Sequence, residues 1–458
     1  MNKKSKKGYL LFLSLVAAMG GLLFGYDWVV IGGAKPFYEV FFDISDSPAM
    51  QGWVMGSATL GCLLGVMVSG SLSDRYGRKP LLTVAAVVFI IASVGTGIVN
   101  SISWFIFYRI LGGTGIGIAS NLSPMYIAEI SPARVRGRYV SINQLTIVLG
   151  ILAAQVVNWL IAEPVIEGEN ILASWNGQMG WRWMFWACAA PASLFFLMIF
   201  FIPESPRWLA GKLSYEKAGT IIARIGGSDY ARNELNEIKS TIQKDRKKAS
   251  FRMLFEGRLP KILLIGIVIA ALQQWCGINV IFSYAQEIFT AAGYGVSDIL
   301  FNIVVTGVTN VIFTFVGMYA VDRLGRRSLL LFGATGLACI YAILGACYYF
   351  HVTGIAVLCL VVAAIACYAM TLAPVVWVVI SEIFPTRIRG MAMAVATFSL
   401  WTACFVLTYT FPLLNRGLGS SGTFWLYGMI CVLGFIFIKT MLPETKGKSL
   451  EEIEKDTR

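Results

Sequence analysis

Long apolar segments separated by short polar connections dominate the chain. Each apolar segment is long enough for a helix that crosses about 30 Å of hydrocarbon. The strands of a membrane β-barrel would instead alternate apolar and polar residues over about ten positions, and that alternation is absent. The pattern predicts an all-α membrane protein with twelve transmembrane helices, near residues 9–34, 52–73, 80–100, 103–127, 140–162, 183–202, 261–288, 299–320, 329–350, 355–381, 391–414 and 422–442.

Composition supports this class and excludes several others. Of the 458 residues, 57% are hydrophobic and only 14% are charged, and the mean hydropathy is +0.71, which excludes an ordinary soluble domain. The nine cysteines all fall in apolar segments and predict no disulfide framework. The single histidine, His351, falls in a short turn, and no phosphate-binding loop of an ATP-driven pump occurs. We expect no enzyme activity, no metal and no cofactor.

The basic residues predict the orientation in the membrane. All but four of the 37 lysines and arginines lie near the N-terminus, in the even-numbered connections or in the tail. The positive-inside rule therefore places both termini in the cytoplasm. This asymmetry also accounts for the net charge of +12, so no nucleic acid partner is expected. The four exceptions are Lys35, Arg182 and Arg416 on the opposite side and Arg109 inside the membrane.

Three charged motifs occur twice in the same order. A D-R-x-G-R-[RK] motif follows predicted helices 2 and 8, an E-I-x-P-x-R-x-R-G motif follows helices 4 and 10, and a P-E-[ST] motif follows helices 6 and 12. Two parallel six-helix halves of this kind are typical of transporters that bind their substrate near the midplane. The predicted domains are an N-terminal six-helix bundle over 1–202, a cytoplasmic helical linker over 203–260, a C-terminal six-helix bundle over 261–442 and a cytoplasmic tail over 443–458.

Two ionisable residues lie well inside predicted spanning helices. Asp27 in helix 1 and Arg109 in helix 4 both sit ~10 Å below the outer boundary, so an ion pair is geometrically feasible. Ionisable groups in hydrocarbon are disfavoured and usually functional. The arginine stays charged, so Asp27 is the member that titrates and is the candidate proton site. A static pair that holds the two helices together is the alternative interpretation.

Helix 7 carries three amides, Gln273, Gln274 and Asn279. Amides both donate and accept hydrogen bonds and so match hydroxyl groups, which do the same. Three of them in one spanning helix indicate a polar cavity rather than contact with lipid. Hydrogen bonds between helices are the alternative role.

Taken together, these motifs closely resemble the sugar porter family of the major facilitator superfamily. The resemblance runs from about Leu10 to Glu452 and includes the repeated D-R-x-G-R loops, the PESPRWL and PETKGKSLEE segments and the QQWCGIN stretch of helix 7. Within the family, the GGLLFGYD, SPMYIAE and WVVISEIFP segments look most like bacterial D-xylose–proton symporters. Porters of the family that couple to protons carry an acid at the Asp27 position, whereas passive facilitators carry an amide.

The resemblance also implies which residues bind the sugar. Amides that bind hydroxyls match Gln273, Gln274, Asn279 and the helix 8 residue Asn310, and rings that cover the sugar match Phe24, Trp377 and Trp401. Two family positions differ here, because Ile151 replaces a glutamine and Ser283 replaces a tyrosine. Relative to the xylose symporters, Leu372 replaces a tryptophan of helix 10 and Leu400 replaces a glutamine of helix 11. Gln155, one helical turn beyond Ile151, is expected to compensate in part.

The repeated charged motifs are predicted to form a cytoplasmic gate. Salt bridges there would hold the outward-open state and break for inward release, whereas charges that only set the topology are the alternative. The gate residues are Asp74, Arg78, Glu129, Arg136 and Glu204 in the first half and Asp322, Arg326, Glu382, Arg389 and Glu444 in the second.

The predicted function is import of a monosaccharide, either a pentose or a hexose, by proton symport through alternating access. An uncoupled sugar facilitator and a proton symporter for a polyol or cyclitol are the alternatives. The expected partners are the sugar, protons and the lipid bilayer. The expected form is a monomer in a bacterial plasma membrane.

Overall fold

The computed structural model describes residues 3–132, 135–165, 170–244, 254–255, 257, 259–384 and 389–443. The described residues form helices and connections and contain no strand. Up to residue 199 the described residues form seven α-helices, with a short 3₁₀ turn (Ile171–Ala173) and a π-helical turn (Asn176–Gly180) before the sixth. These helices are α1 (Lys3–Phe41), α2 (Pro48–Tyr76), α3 (Arg78–Ile98), α4 (Ile102–Ile130), α5 (Arg136–Ile161), α6 (Trp181–Ala187) and α7 (Ala189–Ile199).

Three short helices follow, at the position of the predicted linker. They are α8 (Pro206–Gly211), α9 (Tyr215–Gly226) and α10 (Ser228–Lys244). In α9 the apolar residues Ala218, Ile222 and Ile225 recur at helical spacing and are buried. The side chain of Ser205 caps the start of α8 by accepting a hydrogen bond from the Trp208 backbone.

The rest of the described chain forms eight further helices, several of which are interrupted. Helix α11 ends at Trp275, and Gly277 adopts a left-handed conformation (φ 83°) before α12 begins. Glycine adopts this conformation at little energetic cost because it has no side chain, whereas any other residue would be strained there. The helices are α11 (Leu259–Trp275), α12 (Ile278–Ser283), α13 (Ala285–Ala291), α14 (Val296–Leu324), α15 (Arg326–Tyr349), α16 (Ile355–Met370), α17 (Leu372–Ile383) and α18 (Arg389–Met441).

The predicted twelve-helix architecture is confirmed. The described residues contain eleven helical stretches that are long and apolar enough to cross a membrane. The last of them belongs to α18, which at 53 residues would be about 80 Å long as a straight helix, far more than one crossing requires. Its backbone leaves the helical conformation at Gly419 (φ 69°, ψ 172°), so α18 provides the eleventh and twelfth crossings.

By contacts, the chain divides into two compact units. The first consists of Met1–Trp28, Leu60–Ile151 and Phe185–Lys248. The second consists of Val29–Thr59, Leu152–Met184 and Ala249–Arg458. Four of the boundaries fall within α1, α2, α5 and α6, so each of these four helices contributes residues to both units. The division predicted from the internal repeat, with borders near 202 and 260, stays a prediction.

Candidate functional site

The first unit contains the predicted pair of buried charges. The Nη1 group of Arg109 donates a hydrogen bond to Oδ1 of Asp27 over 2.9 Å, and the two residues are only 3% and 6% exposed. The guanidinium also lies over the ring of Phe185, 5.6 Å from its centroid. Oδ2 of Asp27 and Nε of Arg109 are buried without a hydrogen-bond partner. The pair is thus buried and its hydrogen bonding is incomplete, so its strength depends directly on the charge of Asp27.

The three amides predicted from helix 7 lie in the second unit, on both sides of the break at Gly277. Nδ2 of Asn279 donates to Oε1 of Gln274, and it also lies 3.8 Å from the sulfur of Cys404 in α18. Gln274 is 7% exposed and Asn279 is half-buried. Because the helix is interrupted between them, these amides can face each other without belonging to one regular helical surface.

Gln273 connects the same segment to α17. Its Nε2 donates to the carbonyl of Ala373 over 3.2 Å, at the start of α17, and its Oε1 is buried without a partner. Trp377 lies one helical turn further along α17 and is 39% exposed. Trp401, three residues before Cys404, is buried. The elements that carry these predicted binding residues therefore contact one another within the second unit.

Gln155 is also buried in the second unit, against α14. It is 1% exposed, neither of its amide atoms has a hydrogen-bond partner, and its Oε1 fills the space that a side chain at Gly307 would need. One turn further along α14 is Asn310, which is 5% exposed. A buried polar stripe runs along this helix at four-residue spacing and consists of Asn302, Thr306, Asn310 and Thr314.

The four positions at which the chain departs from the family pattern are all buried, and they are Ile151, Ser283, Leu372 and Leu400. Leu372 is adjacent to Ala373, which accepts from Gln273. The apolar replacements are thus inside the protein and not on its lipid-facing surface. Phe24, the predicted ring from helix 1, is half-buried in the first unit, with its centroid 5.8 Å from that of Trp28.

The charged motifs of the first unit form a connected cluster. Arg78 donates to both carboxylate oxygens of Glu129, over 3.1 and 3.0 Å, and also lies 3.2 Å from the exposed carboxylate of Asp74. Glu204 accepts from the backbone N–H groups of Arg78 and Lys79. Burial raises the pKa of Glu204 above its ordinary value, against the opposing effect of these hydrogen bonds.

The remaining gate residues are less fully connected. Arg136 is exposed and donates its Nε–H to the carbonyl of Ala128. In the second unit, Nη2 of Arg326 lies 3.2 Å from Oε1 of Glu382, which repeats the Arg78–Glu129 pair in a more exposed setting. The side chains of Asp322 and Arg389, and the whole of Glu444, lie outside the described residues.

A second buried charged cluster was not predicted from the sequence. Lys35 was expected in a connection on the far side of the membrane, but α1 continues to Phe41 and Lys35 is only 1% exposed. Its ammonium group contacts Glu39, 2.8 Å away, and Glu287 of α13. The four-residue spacing of Lys35 and Glu39 was the available signal, because it places them on one helical face. The contact with Glu287 could not be predicted from spacing.

Arg182, a second basic residue predicted on that side, is also largely buried. It is 7% exposed, and its guanidinium lies over the rings of Trp181 and Phe41, 4.4 and 4.8 Å from their centroids. Its Nε–H donates to the carbonyl of Gln178. Only the third predicted residue, Arg416, is exposed.

Comparison with known proteins identifies the family. The family model described as "Sugar (and other) transporter" matches residues 13–456. The chain is 37% identical to the D-xylose-proton symporter of Escherichia coli, with 99% of this chain and 97% of the relative covered. It is also 37% identical to the arabinose-proton symporter of Bacillus subtilis, with coverages of 99% and 96%. The chain belongs to the sugar porter family of the major facilitator superfamily.

A solved structure of the family supports the same fold. The inward-open xylose transporter from Escherichia coli matches with a TM-score of 0.85 and 36% identity, over 98% of this chain and 99% of that one. As a sugar porter, the chain is a multi-pass membrane protein that transports sugars and not an enzyme. The resemblance predicted from the sequence motifs is therefore confirmed.

The buried Arg78–Glu129 pair and the more exposed Arg326–Glu382 pair of this sugar porter are expected to differ in their contribution to stability. We expect Arg78→Met to lower the free energy of unfolding by about 3–5 kcal/mol, because it leaves Glu129 buried without its cation. The matched change Arg326→Met should cost no more than about 1 kcal/mol, because solvent screens the more exposed Glu382. Unfolding of both purified variants in denaturing detergent measures the difference, and equal losses would contradict the prediction.

Proposed function

We propose that the chain imports a neutral monosaccharide, either a pentose or a hexose, by proton symport through alternating access. The single observation that supports coupling is the Asp27–Arg109 pair, which is buried and leaves one carboxylate oxygen without a partner. The two symporters named above couple pentose transport to protons, and this supports the same class of activity here.

The chemistry of the pair explains how a proton could drive transport. Arginine stays charged in proteins, so protonation of Asp27 removes the ion pair and leaves Arg109 to seek other partners. The two protonation states would thereby stabilise different conformations, which is what coupling requires. Entry of one proton releases ~2.3 kcal/mol per 100 mV of membrane potential. This is sufficient for roughly fifty-fold accumulation of a neutral solute.

The proposed binding residues are uncharged, which favours a neutral polyhydroxylated substrate. Amides donate to and accept from hydroxyl groups, and aromatic rings cover the C–H face of a sugar. The buried leucines Leu372 and Leu400 replace a tryptophan and a glutamine of the xylose symporters. We therefore do not assign xylose as the substrate. The proposed binding set is Phe24, Gln155, Gln273, Gln274, Asn279, Asn310, Trp377 and Trp401.

The proposed membrane arrangement follows the distribution of basic residues. Both termini and the helices α8–α10 lie in the cytoplasm, and the connection after α1 lies outside. The ion pairs of Arg78 and Arg326 belong to the cytoplasmic gate. We further propose that the protein acts as a monomer in a bacterial inner membrane.

The test is uptake of radiolabelled solutes by proteoliposomes, with and without an imposed pH gradient. The panel comprises pentoses, hexoses, a linear polyol and a cyclitol. We expect one of the monosaccharides to accumulate above its external concentration only when the outside is acidic. Equilibration without accumulation would indicate a facilitator, and accumulation of the polyol or cyclitol alone would replace the sugar as the substrate.

A further inference from the structure

The cluster of Lys35, Glu39 and Glu287 contains one more negative than positive charge. The ammonium group of Lys35 contacts both carboxylates and lies 5.5 Å from the centroid of the Tyr284 ring. Lys35 and Glu39 are only 1% and 6% exposed, and the side chain of Glu287 is 25% exposed. Among the described residues no second cation contacts either carboxylate. If both carboxylates are ionised, the cluster holds an uncompensated charge.

The groups around the cluster do not supply that compensation. Besides Lys35 and Glu39, α1 contributes Tyr38, whose hydroxyl donates to the sulfur of Met55. Helix α2 contributes the neutral amide of Gln51, 3.4 Å from Oε2 of Glu39. Among the described residues the phenol of Tyr284, at the start of α13, interacts with both carboxylates, and the phenol of Tyr427 in α18 is a neighbour of Tyr284. Oε2 of Glu287 is buried and lacks a hydrogen-bond donor, whereas Oε1 of Glu39 lies 2.8 Å from the ammonium group of Lys35.

Two carboxylates that share one ammonium group, one of them buried and the other partly buried, are less readily ionised together, because like charges repel and a desolvated charge is unfavourable. A single proton on the pair would make the cluster neutral and would supply a hydrogen-bond donor, which Oε2 of Glu287 lacks. The proton belongs to the pair as a whole and not to either residue alone. The cluster therefore has the composition of a proton site that is separate from Asp27.

The cluster also connects two elements that are far apart in the sequence. Lys35 and Glu39 share one face of α1, whereas Glu287 belongs to α13, 252 residues from Lys35. At Gly32 a side chain would collide with the carbonyl oxygens of Phe282 and Ser283, so the backbones of α1 and α12 are in close contact there. If these elements separate, Lys35 and Glu39 remain a neutral pair within α1, and Glu287 is left as a solvated carboxylate.

We propose that Lys35, Glu39 and Glu287 form a protonatable latch that closes the side of the protein opposite its termini. Closure brings Glu287 onto the Lys35–Glu39 pair and takes up one proton from that side, and opening releases it. This inference rests on the proposed alternating access but does not require Asp27. It predicts that the exchange rate of the transporter depends on external pH even when the main proton site is removed.

Charge-neutralising variants separate the roles of the three residues. In an Asp27→Asn background, Glu39→Gln or Glu287→Gln leaves one ammonium with one carboxylate, which needs no proton. Lys35→Met leaves two carboxylates without a cation, which need two protons. The exposed residues Glu216 and Lys217 of α9 provide matched controls as Glu216→Gln and Lys217→Met.

The first measurement is exchange of the radiolabelled solute across proteoliposomes at external pH values of about 5 and about 8. Loss of the parent's pH dependence in Glu39→Gln and Glu287→Gln is the expected result. Lys35→Met should exchange at least tenfold more slowly at the higher pH and recover at the lower one. Profiles identical to those of the parent and the controls would overturn the latch while leaving the proposed transport intact.

The second measurement needs no substrate and also applies if no solute exchanges. We expect the melting temperature of purified Lys35→Met to fall by about 5 °C or more between the lower and the higher pH, relative to the parent. The melting temperature is expected to fall because two carboxylates without a cation bind protons more tightly in the folded than in the unfolded state, so stability is lost as pH rises. The triple variant Lys35→Met/Glu39→Gln/Glu287→Gln should remove this dependence. Equal pH dependence in the parent, Lys35→Met and the triple variant would overturn the latch.

Discussion

Replacing Asp27 with asparagine should abolish accumulation of the sugar while leaving its exchange across the membrane. Asparagine preserves the size of the side chain but cannot bind and release a proton, so the conformational change is no longer tied to the pH gradient. The buried ion pair with Arg109 is lost permanently, as it would be lost transiently when Asp27 is protonated. The measurement is uphill uptake and counterflow in the same proteoliposome preparation.

The control for this prediction is Asp229→Asn, which removes an exposed carboxylate from α10. It should accumulate the sugar as the unchanged protein does. Undiminished uphill uptake by Asp27→Asn would place the proton site elsewhere, and the Asp27–Arg109 pair would then be a static link between α1 and α4. Loss of both accumulation and exchange, with the fold retained, would also contradict the prediction.

The second large effect is expected from the amides around the break in helix 7. Gln273→Ala and Asn279→Ala should each raise the dissociation constant of the transported sugar tenfold or more, which is ~1.4 kcal/mol. Each change removes a donor and an acceptor from a segment that contacts both α17 and α18. Equilibrium binding to the purified protein is the direct measurement, since uptake rates combine binding with conformational change.

Gln178→Ala is the matched control, because Gln178 is an exposed glutamine outside the proposed site. Its affinity for the sugar should be unchanged. If the affinities of Gln273→Ala and Asn279→Ala also stay unchanged, the pocket lies elsewhere in the protein. If only Asn279→Ala has an effect, the role of Gln273 is structural, and its hydrogen bond to the Ala373 carbonyl explains its burial.

The fold could be predicted from the sequence because hydrocarbon imposes simple requirements. A spanning helix must satisfy its own backbone and present apolar side chains, so each crossing appears as an apolar segment of sufficient length. The pairing of Asp27 with Arg109 was also predictable, because two charges at one depth in an apolar medium have few other partners. Apolar content could not show how α18 bends between its two crossings, which depends on the backbone conformation of Gly419.

The latch cluster illustrates where such reasoning fails. A lysine ends an apolar segment in any hydropathy profile, and Lys35 was therefore assigned to a connection. In the structure its charge is compensated by Glu39 and Glu287, so the helix continues with the ammonium group buried. One partner is a helical turn away, but the other is 252 residues distant. A contact of that range depends on the tertiary structure and leaves no local trace in the sequence.

The unexpected burial of Lys35 and Arg182 changes the electrical character of the face opposite the termini. Of the three basic residues predicted on this face, only Arg416 is exposed. Four acidic residues on the same face are exposed, namely Asp43, Asp46, Glu163 and Asp298. Such an imbalance creates a negative potential that draws hydronium ions towards this face and repels anions. Uronic acids and phosphorylated sugars would thus be disfavoured before they reach any binding residue, whereas uncharged nutrients would approach freely.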